Sequence, residues 1–427
     1  MKKALLSIFL WPLLALAPWA QAPVQTDPLA QEIGEITAEL DRISGLRQLR
    51  PIDYERIPKA GVKAFLERRI QETLKPEEIR TQELALKKLG FVPPDFDLRK
   101  TVIDLLSEQA AAFYDLKKKK LFLIDGSADF LQHAALVHEL AHALADQHFH
   151  LDKFIERASQ NDDSALARLA VMEGQATWLM SEYLTRRGGQ SLRDLPLLAR
   201  LMARAGESSF GQFPMFDQAP LYLRVTLVFP YTQGMLFQQA VIEKRGQAAF
   251  TEVFRNPPLS TQQILHPEKY LAGEQPLRPP LPQIENQRAY KTVTDGALGE
   301  LDHAVLIRQY AGEQESEALA PELRGGFFRL LESPTDHRIV LLYASEWSGE
   351  QAARRFFAVY EKVLRGKWKA CTFESRSPEA LAGRGDDGYF LVRLQGARVT
   401  SVEGLPSREK ASNRPEGPVP AAAPAID

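Results

Sequence analysis

Residues 129–149 read DFLQHAALVHELAHALADQHF, and this segment decides how the first half of the chain is interpreted. Its apolar residues recur three or four positions apart, which predicts a helix with one apolar face. His138 and His142 stand four positions apart, so a helix would project both imidazoles from one face, one turn from each other. The segment therefore predicts a helix that carries a pair of histidines on a single face.

This histidine pair is suited to binding one metal ion. Two imidazoles at this spacing can serve as two ligands of a single Zn²⁺. Glu139 lies beside them, and its carboxylate could take a proton from a zinc-bound water whose pKa the metal has lowered. The same pattern also arises as two surface histidines without metal, but its place on an apolar-periodic helix after a predicted hairpin favours the metal site.

A catalytic zinc site needs a third protein ligand and one open position. Our candidate is Glu173, in the sequence AVMEGQATW of the next predicted helix. Gly174 beside it lacks a side chain at a point where two helices would have to approach closely. His148 and His150 are alternatives, although they follow His142 closely on one helix and would complete the coordination with difficulty.

Asp146 lies one turn beyond His142 on the same predicted helix face. In that position its carboxylate either accepts a hydrogen bond within the site and orients a ligand, or caps the helix end and meets solvent. The sequence leaves both roles open.

The motif and its surroundings resemble a known family. An HExxH followed by a glutamate in an EGxA helix resembles the gluzincin branch of the zincin metallopeptidases. More closely, VHELAHALADQHF, preceded by AAFYDLKKKKLFL and followed by LAVMEGQATW, FPYTQG and STQQILHPEKY, is similar to a group of bacterial proteins classed as zinc metallopeptidases. The similarity runs from about Leu105 to Tyr270 and continues more weakly through the C-terminal part.

The resemblance implies both a site and a reaction. It implies that His138, His142 and Glu173 bind zinc. It also implies that Glu139 is the general base for hydrolysis of peptide bonds by a zinc-activated water. In gluzincins the strand before the active-site helix often pairs with extended substrate, and in this chain that strand would be residues 121–124.

Peptide hydrolysis also needs a group that stabilises the oxyanion beyond the metal, commonly a His or Tyr donor in this class. His266 and Tyr231 are the candidates, because they lie in HPEKY and PYTQG, two patterns that the resemblance covers. Tyr114 and Tyr222 are also available. Sequence alone brings none of the four to the metal.

The N-terminus has the order of a secretory signal peptide. MKKALLSIFLWPLLALAPWAQA begins with two lysines, continues with an apolar run and ends in Ala-Gln-Ala, which predicts a signal in residues 1–22. We therefore expect an exported protein, periplasmic or secreted. No later stretch reaches the roughly twenty unbroken apolar residues of a membrane helix, so no stable span is expected after signal cleavage.

The rest of the chain predicts an α+β protein with two domains, because 427 residues exceed the size at which one core keeps growing. Residues 23–275 predict a mainly helical, zincin-like domain with a small hairpin, whose polar turn contains the lysines 117–120. Residues 276–290 contain PLRPPLPQ and predict a stiff linker. Residues 291–405 predict an α+β domain with an antiparallel sheet, and residues 406–427 a disordered tail.

Composition narrows the class of partner. The formal net charge of −2 leaves no excess of basic residues for phosphates, which argues against nucleic acid. Cys371 is the single cysteine, so an intramolecular disulfide is excluded. The leading hypothesis is a zinc peptidase acting on a peptide or protein substrate. The alternative is a catalytically inactive zincin-fold binding or scaffold protein of the cell envelope, against which the intact Glu139 argues.

Overall fold

The computed structural model describes residues 27–58, 75–109, 112–125, 129–158, 161–210, 214–407 and 411–415. The predicted signal peptide, residues 1–22, lies outside the described residues. The fold class is α+β, as predicted, with a largely helical region followed by a C-terminal antiparallel sheet. Among the described helices, none combines the length and the apolar character that crossing a bilayer requires.

Contacts within the chain divide it into two compact units. The first unit contains the described residues up to Gln82 together with Asp97–Glu274, and the second contains Glu83–Phe96 together with the residues from Gln275 onward. The main boundary therefore lies next to residue 275, where the sequence places the end of the first domain.

The segment 83–96 departs from the predicted division, because its polar groups bind within the second unit. The Lys88 ammonium pairs with Asp387, and the Gly90 carbonyl accepts a hydrogen bond from the Tyr310 hydroxyl at 2.7 Å. A helical sequence pattern does not reveal which of two cores a helix packs against. The predicted domain of residues 23–275 is consequently interrupted here.

Helices form most of the first unit, and one of them, α2, crosses the boundary between the units. In chain order they are α1 (Pro28–Ser44), α2 (Pro76–Leu89), α3 (Leu98–Gln109), α4 (Asp129–Phe149), α5 (Leu151–Glu156), α6 (Asp162–Arg187), α7 (Pro196–Phe210), α8 (Pro214–Gln218), α9 (Leu221–Arg245), α10 (Ala249–Arg255), α11 (Thr261–Leu265) and α12 (Pro267–Leu271). The predicted histidine-bearing segment thus forms one continuous helix, α4.

A small three-stranded sheet accompanies these helices. Its strands are β1 (Asp53–Pro58), β2 (Ala112–Asp115) and β3 (Lys120–Asp125). The β2–β3 hairpin and its lysine-rich turn are confirmed. However, β3 is the central strand, with β1 parallel on one side and β2 antiparallel on the other. The expectation that residues 121–124 pair with substrate is therefore wrong, because both sides of that strand already carry a neighbour.

Two glycines allow α6 and α9 to pack closely together. A Cβ on Gly174 would lie 2.1 Å from the carbonyl carbon of Gly234, and a Cβ on Gly234 would lie 2.2 Å from the Ala170 carbonyl oxygen. Farther along, the Trp178 indole donates a hydrogen bond to the Gln239 side chain at 2.6 Å. The predicted close packing at Gly174 is confirmed, and Gly234 is its partner.

Gly174→Ala is expected to destabilise the protein by about 1–3 kcal/mol or more, because the added methyl group must push two helix backbones apart. The measurement is the midpoint of thermal unfolding. Gly34→Ala is the matched control: Gly34 is also helical and its Cβ would meet nothing within 4 Å. That control should leave the midpoint unchanged or raise it, since alanine is the better helix former. Equal midpoints for Gly174→Ala and the unsubstituted protein would contradict the close approach.

The strands of the second unit are β4 (Pro282–Ile284), β5 (Lys291–Leu298), β6 (Leu323–Glu332), β7 (Ile339–Trp347), β8 (Cys371–Arg376), β9 (Ala380–Gly385), β10 (Gly388–Gln395), β11 (Arg398–Leu405) and β12 (Ala411–Pro415). The unit is built on an antiparallel sheet of seven of them, in the order β5-β6-β7-β11-β10-β9-β8. Its helices are α13 (Glu300–Ala311), α14 (Glu313–Leu319) and α15 (Glu350–Lys367).

The predicted linker of residues 276–290 is part of this unit's core. Leu281 and Ile284 are buried against residues of the sheet, and the Arg278 guanidinium lies over the Phe327 ring. Strand β4 pairs with β12, so residues 411–415 of the predicted disordered tail form a strand. Proline content suggested a spacer, but Leu281 and Ile284 cover part of the hydrophobic surface of the sheet.

Candidate metal centre

Helices α4 and α6 bring three metal-ligating side chains to one point. The Nε2 atoms of His138 and His142 are 3.0 Å apart. The Glu173 Oε2 atom lies 3.2 Å from the Nε2 of His138 and 3.2 Å from the Nε2 of His142. The three predicted ligands therefore meet, with one atom of each facing the same space.

This triangle of donor atoms fits a metal ion. Ligand atoms about 2.0–2.1 Å from a tetrahedral zinc lie roughly 3.4 Å from one another, close to the separations found here. His142 is 7% exposed and Glu173 is 3% exposed, so burial keeps bulk water from competing for the ligands. Among the described residues, His138, His142 and Glu173 form a group that could hold a metal ion.

The local sequence explains how Glu173 reaches the histidines. Helix α6 begins where the Asn161 side chain accepts hydrogen bonds from the backbone N–H groups of Asp163 and Ser164. It then continues to Arg187, and the absence of a side chain at Gly174 lets α9 pack directly against the segment that carries Glu173. The ligand from α6 thus sits on a helix fixed at its start and at its middle.

The three side chains perturb one another strongly. Burial opposes ionisation of Glu173, but the charges and hydrogen bonds of His142 and His138 outweigh it and lower the pKa of that carboxyl to about 2. Burial also disfavours the charged form of His142, but the neighbouring carboxylates, above all Glu173, raise its pKa overall. Without metal, the carboxylate is ionised and His142 holds a proton more firmly than an ordinary histidine.

Metal affinity is consequently expected to fall as the pH falls, because a metal ion must displace that proton from His142. The loss should approach tenfold per pH unit below the raised pKa of His142 and level off above it. In the metal-free protein the effect on stability has the opposite sign: the protonated His142 contributes stability at low pH, and this is lost as the pH rises through its folded pKa. Competition titrations with a zinc chelator across about pH 6 to 8 measure how the zinc affinity changes with pH. A pH-independent affinity would show that no proton is displaced.

Glu139 follows His138 on α4, and a strand holds its carboxylate. The backbone N–H of Tyr114, in β2, donates a hydrogen bond to Glu139 Oε2 at 2.7 Å. Burial raises the pKa of Glu139, although the charges of His142 and His138 act in the other direction. A carboxylate with a raised pKa is a better proton acceptor near neutral pH.

Tyr231, the predicted oxyanion donor on α9, lies at this cluster. Its ring stacks on His138 with ring centroids 6.0 Å apart, and its hydroxyl hydrogen-bonds to Glu173. Burial, followed by the charges of Glu173 and Glu139, raises the pKa of this hydroxyl well above its usual value. Tyr231 therefore keeps its proton and can act as a hydrogen-bond donor.

His266, the other predicted donor, sits between α11 and α12. Its Nδ1 lies 3.5 Å from Glu268 Oε1, and its role at the oxyanion stays a prediction. Tyr222 is buried in the first turn of α9, more than two helical turns before Tyr231. Tyr231 stacks on the ligand His138, and Tyr114 bonds to Glu139, so these two of the four candidates lie at the site.

Within the part of the chain that the structure describes, the metal-binding group includes neither the alternative ligands nor Asp146. Helix α4 continues to Phe149, and the His148 Nε2 lies 2.8 Å from the Arg47 carbonyl oxygen. His150 is the N-cap residue of α5. The Asp146 carboxylate binds Tyr114 and Lys119 rather than a metal ligand. Sequence reasoning missed the Tyr114 N–H, because a backbone donor leaves no mark in the residue types.

Comparison with family models, with curated proteins and with solved structures found no match for this chain. The chemistry that the centre supports is therefore inferred from its own residues.

Proposed function

We propose that this chain is a zinc-dependent metallopeptidase that hydrolyses peptide bonds. One observation carries the proposal: three donor atoms of His138, His142 and Glu173 converge within 3.2 Å of one another, and the carboxylate of Glu139 lies next to them on the same helix. Two imidazoles with one carboxylate are a donor set typical of catalytic zinc, which keeps one coordination position open. The resemblance to the gluzincins supports the same assignment.

The bound metal, Glu139 and Tyr231 would each have a separate role in hydrolysis. Bound zinc would supply a Lewis acid that polarises the scissile carbonyl and lowers the pKa of water. Glu139 accepts a proton as the water oxygen bonds to the carbonyl carbon, and it returns that proton to the amine nitrogen as the C–N bond breaks. Tyr231 donates its hydroxyl proton in a hydrogen bond to the negative charge that develops on the carbonyl oxygen.

The decisive experiment measures metal and hydrolysis in one preparation. We expect about one zinc per chain by elemental analysis, cleavage of a mixed peptide library, and loss of both after chelation with recovery on adding zinc. Bound zinc without cleavage of any peptide would instead favour the inactive binding or scaffold protein. A chain that binds no zinc at millimolar concentration would overturn the proposed peptidase.

Export remains a separate proposal that depends on residues 1–22. The peptide substrate would then be met outside the cytoplasm. Expression of the full chain followed by cell fractionation and N-terminal sequencing tests it, and a cytoplasmic protein that retains Met1 would contradict it.

A further inference from the structure

The β2–β3 hairpin is hydrogen-bonded to helix α4 at two places, and Tyr114 contributes a donor at both. Its backbone N–H donates to Glu139 Oε2 at 2.7 Å. Its hydroxyl donates to Asp146 Oδ2 at 3.1 Å. One residue of the strand thus connects the general-base candidate to a second acid on the same helix.

Asp146 is entirely buried, with 0% of its surface exposed. Besides Tyr114, its carboxylate accepts hydrogen bonds from the Lys119 ammonium at 2.8 Å and from the Leu151 N–H at 3.0 Å. Lys119 lies in the hairpin turn with φ of 56°, a left-handed conformation that few residues other than glycine adopt. In this conformation of the turn, the Lys119 ammonium bonds to the buried Asp146 carboxylate.

The two attachment points are close together, so the contact between Tyr114 and Asp146 can affect the bond between Tyr114 and Glu139. Glu139 and Asp146 are seven residues apart, which is two helical turns or about 10 Å along the axis. Strand β2 is an edge strand that pairs with β3 on one side, so contacts with α4 fix its other side. If the strand shifts at Asp146, the Tyr114 N–H shifts relative to the carboxylate of Glu139.

We propose that Asp146 is a positioning residue that holds Tyr114 so that its N–H stays on Glu139. The catalytic consequence rests on the proposed function, because the N–H fixes the rotamer of the carboxylate that takes the proton. Asp146 is not one of the three side chains that could hold the metal. It acts through Tyr114, with Lys119 supplying the opposite charge that a buried carboxylate needs.

Hydrogen exchange tests the positioning without any need for turnover. In Tyr114→Phe and Asp146→Asn, the amide of residue 114 should exchange at least tenfold faster than in the unsubstituted protein, because the N–H to Glu139 bond opens more often. In Asp146→Asn the single amide oxygen is needed by Lys119 and the Leu151 N–H, which share one carboxylate oxygen in the structure, so the Tyr114 hydroxyl loses its acceptor. The control is Tyr54→Phe, which removes another tyrosine hydroxyl bonded to an aspartate, Asp27, on the opposite edge strand of the same sheet. It should leave exchange at residue 114 unchanged.

Kinetics test the catalytic consequence. Tyr114→Phe and Asp146→Asn should each lower kcat by about tenfold to a hundredfold with KM and zinc content retained, as expected for a group that orients a reacting residue. The double variant should lose no more than the worse single variant, since both substitutions break one connection. In a Glu139→Gln background, Tyr114→Phe should cost nothing further. If Tyr114 had only a structural role, Tyr114→Phe would lower stability and the remaining activity in the Glu139→Gln background too.

The outcomes separate this inference from the proposed function. If the zinc-loaded protein cleaves no peptide, the proposed function fails, and the exchange rate at residue 114 still decides whether Asp146 positions Tyr114. If the protein cleaves peptides but Tyr114→Phe has normal exchange and normal kcat, the inference fails and the proposed function stands. Should Asp146→Asn not fold, Tyr114→Phe alone gives the answer.

Discussion

Glu139→Gln is expected to lower kcat for peptide hydrolysis by roughly two or more orders of magnitude while the protein stays folded and keeps its zinc. Glutamine has the volume of glutamate and can still accept the N–H of Tyr114, a bond of 2.7 Å in the structure. It cannot take a proton from water. The substitution therefore removes the base and leaves the metal ligands in place.

Two controls make the result specific. Zinc content and the unfolding midpoint of Glu139→Gln should match those of the unsubstituted protein, because Glu139 is not among the three ligands. Glu156→Gln changes the same functional group at an exposed position on α5 and should retain full activity. Undiminished turnover in Glu139→Gln would remove the proposed mechanism, whatever the metal content.

The features of the site that follow from residue spacing could be predicted. His138 and His142 on one helix face need no tertiary information, and the Glu-Gly pair at 173–174 pointed to the second helix. Tyr231 was a candidate that the sequence could not bring to the metal, because its approach to the ligands depends on how α9 packs on α6. That packing requires Gly234, which lies 60 positions beyond Gly174 and has no local signal in the sequence.

Features that depend on which segments pack against each other were harder to predict. Residues 121–124 read as a strand, but the sequence does not show that β1 would occupy one side and β2 the other. Residues 276–290 read as a spacer because four prolines stand between positions 276 and 282, yet Leu281 and Ile284 are each less than 5% exposed. In both segments the neighbour that covers the chain could not be read from the residues of the segment itself.

Glu173→Gln is the second substitution with a large expected effect, because it removes the charge of a ligand and keeps its volume. The carboxylate is ionised even without metal, since His142 and His138 lower its pKa to about 2. A neutral amide oxygen is a much weaker ligand for zinc. We expect zinc affinity and peptidase activity to fall together, by about a hundredfold or more.

The readout is the rise in unfolding temperature on adding zinc. At a concentration one hundred times Kd, a ligand stabilises the folded state by about 2.7 kcal/mol, so a hundredfold loss of affinity removes most of that rise. Glu182, nine residues along the same helix, is unsuitable as the control: it is 0% exposed and binds Arg186, Ser191 and the Leu192 N–H. Its substitution would destabilise the protein for unrelated reasons.

Glu285→Gln, at an exposed position in the second unit, changes the same functional group without these contacts and should leave the zinc-dependent rise intact. If Glu173→Gln shows the same rise and the same activity as that control, Glu173 is not a ligand. His148 and Asp146 would not readily replace it, because each is already bound to other groups of the protein. The metal would then be held by the two histidines of α4 and by a group other than Glu173.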